Sequence, residues 1–404
     1  MEIEAYVQNL AKKDSELKQL FNQKIADKVM RFHKSFPQYE TTPLVSLSSL
    51  AKKLGVGGIY VKDESKRFGL NAFKVLGGSY AIAKYIAKIL NEPEDKMSYD
   101  FLTSDEIKEK IKGMTIVTAT DGNHGKGIAW TARQLGLPCK VFVPRNTTDE
   151  RIENISSEGA EVFRTEWDYD DTLRHAVKVA EDIGGTVIQD TAWDGYEEVP
   201  AWTMQGYMTM AAEALTQLRL TGISELSHVF VQAGAGSMAG SVVGYYANAL
   251  EKQPVIALAE ASDSACFYQT AKANDGKLHF IDNDMNTIMA GLAVGEPCTV
   301  AWKILKEYVD VFLSVQDTIT AKGMRVLGNP LQGDSRIISG ESGAVTLGVL
   351  VQTLQDNDLS WLREKLGLNK SSQILLFSTE GDTDRRRYEE IVWDGAWNSE
   401  KSFK

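Results

Sequence analysis

The chain has 404 residues but only 3 cysteines, Cys139, Cys266 and Cys298, and only 9 prolines. Three scattered thiols exclude a disulfide framework and lack the close spacing of a zinc site, so no metal is expected and a reducing compartment is. With so little proline and no Gly/Ser-rich stretch, composition marks no linker, and any domain boundary must come from topology. No run of about 18 apolar residues occurs. The first residues, MEIEAYVQNLAKKDSELKQLF, lack the basic start, apolar stretch and cleavage site of a secretory signal, and a cytoplasmic protein is expected. Acidic residues outnumber basic ones, 55 to 44, for a net charge of −11. No Lys/Arg block stands out, which argues against nucleic acid or an anionic membrane as a partner. Repeats of 20 to 50 residues are absent.

What is present is an ordinary globular composition, 43 % apolar and 25 % charged, in a chain long enough for two or three domains at about 150 residues each. From residue 57 onward β-branched runs alternate with amphipathic stretches, the pattern of βαβ units and a parallel sheet. Strands are predicted at Ile59–Val61, Thr115–Thr120, Lys140–Pro144, Glu161–Thr165, Thr186–Asp190, His228–Ala233, Val255–Glu260, Val311–Val315 and Gln373–Ser378. Helices are predicted at Lys126–Leu135, Ser237–Leu250 and Ser342–Leu354, with a capping box opening at Thr147 and Glu150. The segment Ser15–Met30 is predicted as an extra helix or a subunit contact.

Three local patterns carry chemistry. Thr118-Ala119-Thr120-Asp121-Gly122-Asn123-His124-Gly125 lies where an apolar strand passes into a helix, so backbone N–H groups and the positive helix end face one point, a natural seat for a small anion. Asp121 as a simple helix cap is the alternative. Gln232-Ala233-Gly234-Ala235-Gly236-Ser237-Met238 comes after a second strand in the same way and can cradle a phosphate without a basic side chain, or serve only as a tight turn. Phe68-Gly69-Leu70-Asn71-Ala72-Phe73-Lys74 sets a lysine in uncharged surroundings, where desolvation makes an amine usable as a Schiff-base former, although a lone lysine is usually a surface charge.

In this order the three patterns, with Ser378-Thr379-Glu380-Gly381 after the last strand, resemble the fold-type II pyridoxal-phosphate enzymes, which include tryptophan synthase β chains, cysteine synthases and serine and threonine dehydratases. The resemblance runs from about residue 40 to residue 385. Asp121 in place of the usual Ser, the Ala-Gly-Ala-Gly-Ser loop, Gln-Asp-Thr-Ala-Trp and Ser-Thr-Glu-Gly-Asp-Thr-Asp are similar to the diaminopropionate ammonia-lyase branch. The resemblance implies an α/β fold with two open, twisted, mostly parallel sheets flanked by helices. A small mobile domain (80–183) would be inserted in a large cofactor-binding one (1–79 and 184–404). It also implies a homodimer and an α,β-elimination turning D- and L-diaminopropionate into pyruvate and two molecules of ammonia.

On this resemblance Lys74 would hold pyridoxal 5'-phosphate as a Schiff base and then act as a base at Cα. Phe73 would flank the cofactor and Gly234, Ala235, Gly236, Ser237 and Met238 would bind its phosphate. Asn123 would meet the ring's 3-oxygen, Thr379 the pyridine nitrogen, and Glu341 would lie near the ring. Thr118, Thr120, Asp121 and Gly122 would hold the substrate carboxylate. Asp121 would also serve as a second base, and Asp190 would hold the β-ammonium. His124 reads as structural. A serine or threonine dehydratase of the same fold is the nearest alternative. A Rossmann-type nucleotide binder, with Glu260 on a ribose, is a more distant one.

Overall fold

The computed structural model describes residues 2–8, 16–120, 122–223 and 225–398. Its strands are β1 (Ile3–Val7), β2 (Leu44–Ser46), β3 (Gly58–Asp63), β4 (Ile116–Ala119), β5 (Cys139–Val143), β6 (Glu161–Arg164), β7 (Thr186–Val187), β8 (His228–Gln232), β9 (Val255–Ala261), β10 (Val311–Val315) and β11 (Gln373–Ser378). They form a seven-stranded sheet in the order β1-β10-β9-β8-β11-β3-β2 and a four-stranded sheet in the order β6-β5-β4-β7. All pairings are parallel except the two edges, β1 on β10 and β2 on β3. Central strands such as β4 and β8 are buried along their whole length, as expected when helices cover both faces of a parallel sheet.

All nine predicted strands form. The edges β1 and β2 were not predicted: each is short and exists only through its partner, β1 pairing with residues more than 300 positions away. The predicted strand Thr186–Asp190 pairs only over Thr186–Val187, because the chain then leaves the sheet and Gln189 N–H donates to the Tyr196 hydroxyl (3.1 Å). The expected capping box also differs: the helix runs Asp149–Ser156 without a side-chain cap, and Glu150 instead accepts from the backbone of Arg385 across the cleft. Within the predicted helix at Ser15–Met30, residue 15 lies outside the described residues. The rest of that segment divides into a 3-10 turn, Glu16–Phe21, and the start of a helix, Gln23–Lys34, capped by Asn22.

The helix Val75–Leu90, whose preceding residue is Lys74, packs against the helices Glu198–Leu220 and Asn123–Leu135. Gly127, in the helix Asn123–Leu135, lies so close to this start that a Cβ there would sit 2.8 Å from the backbone of Val75 and 3.2 Å from that of Lys74. A larger residue would push the lysine away.

Beneath the Lys74 loop lies a buried ionic cluster. Lys62, near the end of β3, reaches Glu213 (2.6 Å) in the helix Glu198–Leu220, and Arg67 bonds both Glu64 (2.9 Å) and Glu213 (2.8 Å). Burial opposes the charge on Glu213, but Arg67 and then Lys62 outweigh it and hold the carboxyl below the usual carboxylate range. Such a cluster stabilises little in total, yet removing one partner strands the others. Arg67→Met is therefore expected to cost about 3–5 kcal/mol, measured by urea unfolding with wild-type protein as reference.

Candidate active site

Carboxyl ends of parallel strands converge where ligands bind in open α/β sheets. Here five of them deliver residues to one place. β3 leads to Phe73 and Lys74, β4 to Asn123 and His124, β7 to Asp190, β8 to Gln232 and the 234–238 loop, and β11 to Thr379 and Glu380; all line a single cavity. The extended order of the strands thus becomes a ring of side chains.

At its centre the Lys74 ammonium donates to the Asp190 carboxylate. Asp190 is 3 % exposed. Burial disfavours its charge, but His124 and Lys74 more than compensate and keep it ionised far below the usual carboxylate range. The Tyr207 hydroxyl also donates to Asp190 (3.4 Å), and the Tyr207 ring packs on Phe73 (4.7 Å between centroids). His124 Nε2 lies 3.0 Å from the Ile188 carbonyl; a carbonyl only accepts, so Nε2 carries a proton and Nδ1 is the nitrogen turned to Asp190, at 3.7 Å.

The 234–238 loop behaves as a cradle. Gly236 has φ +94°, and a Cβ on it would fall 2.4 Å from the Phe267 ring. The helix Ser237–Ala249 starts immediately after it, aiming its N–H groups at the cavity. Thr379 accepts from Gln232 Nε2 at 3.1 Å, which leaves its own hydroxyl proton to be donated elsewhere. Gln232 Oε1 is buried without a hydrogen-bond partner among the described residues. An anion cradle, an amine, a spare hydroxyl donor and an unsatisfied buried acceptor around one cavity match a polar, phosphorylated aromatic group.

Similarity to known proteins decides which group. The model of the family described as pyridoxal-phosphate dependent enzymes matches residues 36–364. The chain belongs to this family. Its cofactor is pyridoxal phosphate. The chain is 47 % identical over 378 residues to the diaminopropionate ammonia-lyase of Salmonella typhimurium, covering 93 % of this chain and 94 % of that one. It is also similar to the crystal structure of the Escherichia coli diaminopropionate ammonia-lyase in complex with an aminoacrylate–PLP azomethine reaction intermediate, with a TM-score of 0.90, 43 % identity and 98 % of both chains covered. Threonine deaminase isoform 2 of Solanum lycopersicum, at 19 % identity, 96 % of this chain and 97 % of that one, and a TM-score of 0.71, shares the fold.

Most of the sequence-predicted residues of this pyridoxal-phosphate enzyme come together. Phe73, Lys74, Asn123, Asp190, Gly234, Ala235, Gly236, Ser237, Met238 and Thr379 all line the cavity. Three do not. Thr118 is fully buried and its hydroxyl donates to Gln189 (2.8 Å). The Thr120 hydroxyl accepts from the backbone of Gly122 (2.9 Å) and Gly125 (3.0 Å), shaping the turn from behind. Glu341 faces the neighbouring cleft with Arg151. Gly122 borders the adjoining opening with Asn123, and Asp121 lies outside the described residues. Glu260 is wholly buried and accepts from Phe267 N (2.8 Å) and Tyr268 N (2.7 Å), so it caps a helix and is closed to a ribose.

Sequence reasoning missed Glu380, Tyr207 and Gln232. Glu380 accepts from Asn123 Nδ2 and, at 3.1 Å, from Ser342 N–H, so one carboxylate joins the helix after β4 to the helix Glu341–Gln355. The strings containing Glu380 and Gln232 were singled out without a role for either residue; Tyr207 sits inside a largely apolar helix and carried no signal.

Gly236→Ala is expected to weaken retention of pyridoxal phosphate by at least about tenfold, since strained backbone and ring clash each cost on the order of 1–3 kcal/mol; cofactor absorbance after dialysis measures it. Glu341 titrates unusually: burial, with Glu380 adding to it and Arg151 opposing, raises its carboxyl from the ordinary 4.5 to about 7. Between those values the folded chain holds a proton that the unfolded chain has released, so stability falls as pH rises through this window, by up to about 3 kcal/mol at ~1.36 kcal/mol per unit. Glu341→Gln is expected to flatten that slope in denaturant melts at about pH 5 and about pH 8.

Proposed function

We propose that the chain carries out the α,β-elimination of diaminopropionate, of both D and L forms, to pyruvate and two molecules of ammonia. The observation that carries this reading is the Lys74 amine held by the ionised Asp190 in front of the 234–238 cradle. Supporting it, the relatives matched over nearly the whole chain are diaminopropionate ammonia-lyases.

Bound pyridoxal phosphate supplies an electron-withdrawing conjugated ring to a substrate joined to it through the α-amine. The chain's residues do the rest. The amides of Gly234–Met238 take the phosphate, Asn123 meets the ring's 3-oxygen, and the Thr379 hydroxyl donates to the pyridine nitrogen. A neutral donor there leaves that nitrogen unprotonated, which favours prompt loss of a β-substituent over a lingering carbanion. Glu380 holds the Asn123 amide through its nitrogen.

Once its amine is freed, Lys74 removes the Cα proton from one face. Asp121 takes it from the other, which is how both enantiomers are served. The backbone N–H of Asn123, at a helix start, receives the substrate carboxylate. Asp190 attracts the β-ammonium and keeps that nitrogen protonated, because an ammonium leaves readily and an amide ion does not. Water then converts the released three-carbon enamine to pyruvate and the second ammonia.

We also place the enzyme in the cytoplasm as a homodimer, with residues 80–183 moving against the rest to close the cavity. The grouping of the four-stranded sheet within 116–187 supports that division, and no described helix is long and apolar enough to cross a membrane.

The test measures ammonia and pyruvate from D- and L-diaminopropionate beside L-serine. Two ammonia per pyruvate from both enantiomers, faster than from serine, is the expected result. A preference for serine would replace the reading with a dehydratase. Lys74→Ala should abolish turnover, and Asp190→Asn should lower kcat by about 10²–10⁴ while the chain still takes up cofactor; an Asp190→Asn enzyme with unchanged kcat would remove that residue from the mechanism.

A further inference from the structure

Behind Asp190 lies a second groove, of about 580 Å³, within the range of small-molecule sites. One wall is the helix Tyr169–Ile183, another the turn Thr191–Asp194, and the third the segment from Leu278 to Thr299. Its lining is apolar through Leu173, Val177, Trp193, Leu278, Phe280 and Pro297. Set into this surface is Asp170, 9 % exposed, whose carboxyl makes no hydrogen bond or ion pair among the described residues. Burial and the neighbouring Glu296 raise it to about 7.

A mostly buried carboxyl that opens on the groove with no protein partner among the described residues is set to meet a ligand, and the surroundings indicate which kind. Among the described residues the only cation on the rim, Arg174, is already bonded to Asp171 (3.1 Å) and Glu296 (2.9 Å). Asp194 and Glu296 add negative charge, which repels a carboxylate or phosphate ligand. Trp193, fixed by stacking on Tyr196 at 4.3 Å, and Phe280, 61 % exposed, offer aromatic surface. Aromatic rings beside carboxylates are the combination that recognises an organic cation.

We propose that this groove binds an organic ammonium ion with an apolar body, its charge against Asp170 and its body against Trp193 and Phe280. The walls connect the groove to the catalytic cavity. Thr191 and Ala192 come directly after Asp190, Thr299 N–H donates to the Ala192 carbonyl (3.4 Å), and Cys298 N–H donates to the Ala235 carbonyl (2.9 Å) in the phosphate cradle. An occupant therefore ties the helix Tyr169–Ile183 to the segment that backs the cradle, and slows loss of the cofactor.

Benzyltrimethylammonium is a suitable probe of the holoenzyme, since its quaternary nitrogen cannot condense with pyridoxal phosphate. Calorimetry should show saturable binding that is weakened at least tenfold in Asp170→Asn and in Phe280→Ala, the second being an exposed position that leaves folding intact. Phenylacetate, of opposite charge, should not bind. Cofactor release on dilution should slow with the probe in wild type and not in the variants. Absence of binding at millimolar probe, equal binding by both variants, or displacement of the probe by diaminopropionate would overturn the proposal. These outcomes do not depend on which amino acid the catalytic cavity consumes, so failure here and failure of the elimination reading are distinguishable.

Discussion

The contact between Lys74 and Asp190 is the constraint on which the rest is organised. The two residues come from different sheets, one beyond β3 and the other beyond β7, so the charge pair exists only when the sheets are packed with their carboxyl edges facing one cavity. An ion pair this buried needs close geometry to offset desolvation. The molecule supplies it with a glycine at 127 that lets two helices meet at the lysine, and with Tyr207 and His124 around the carboxylate.

Under that pair the architecture distributes its polar groups economically. The Lys62–Glu213–Arg67–Glu64 cluster anchors the loop that carries Lys74, while Glu380 performs a comparable service for Asn123 from the opposite side. In each case a carboxylate fixes a nitrogen-bearing side chain, Arg67 and Lys62 under the Lys74 loop and Asn123 on the cavity wall. Acceptors suit this work because a carboxylate cannot be satisfied by a flipped amide oxygen, so it determines orientation as well as place.

Much of the site was legible from local sequence because anion-binding turns need small residues at fixed offsets from a strand end, and such offsets survive in a linear reading. The Gly234–Met238 loop and Asn123 stood out in this way, Lys74 by its uncharged surroundings and Thr379 only through the family resemblance; all of them line the cavity. Thr118, Thr120 and Glu341 lie off the cavity wall for one shared reason. Each belongs to a recognisable string, but whether a side chain at that position faces the cavity or the turn behind it depends on a rotation of one residue that the string does not encode. Thr120 turned inward to bond two backbone amides, and Glu341 was displaced into the next cleft while Glu380, with a role no one string announced, took the contact to Asn123.

By itself the sequence determined the alternation of strands and helices, the parallel sheets and the glycine-rich turns that follow β4 and β8, since these depend on periodicity and on the φ freedom of glycine within a few residues. The tertiary structure alone decided that β1 and β2 form edges, that Asp190 meets Lys74, that Glu260 caps a helix, and that Asp170 is buried beside two aromatic rings. Those outcomes join residues up to hundreds of positions apart, and the energy that selects them, burial of apolar surface against desolvation of charge, is defined only once the chain has packed.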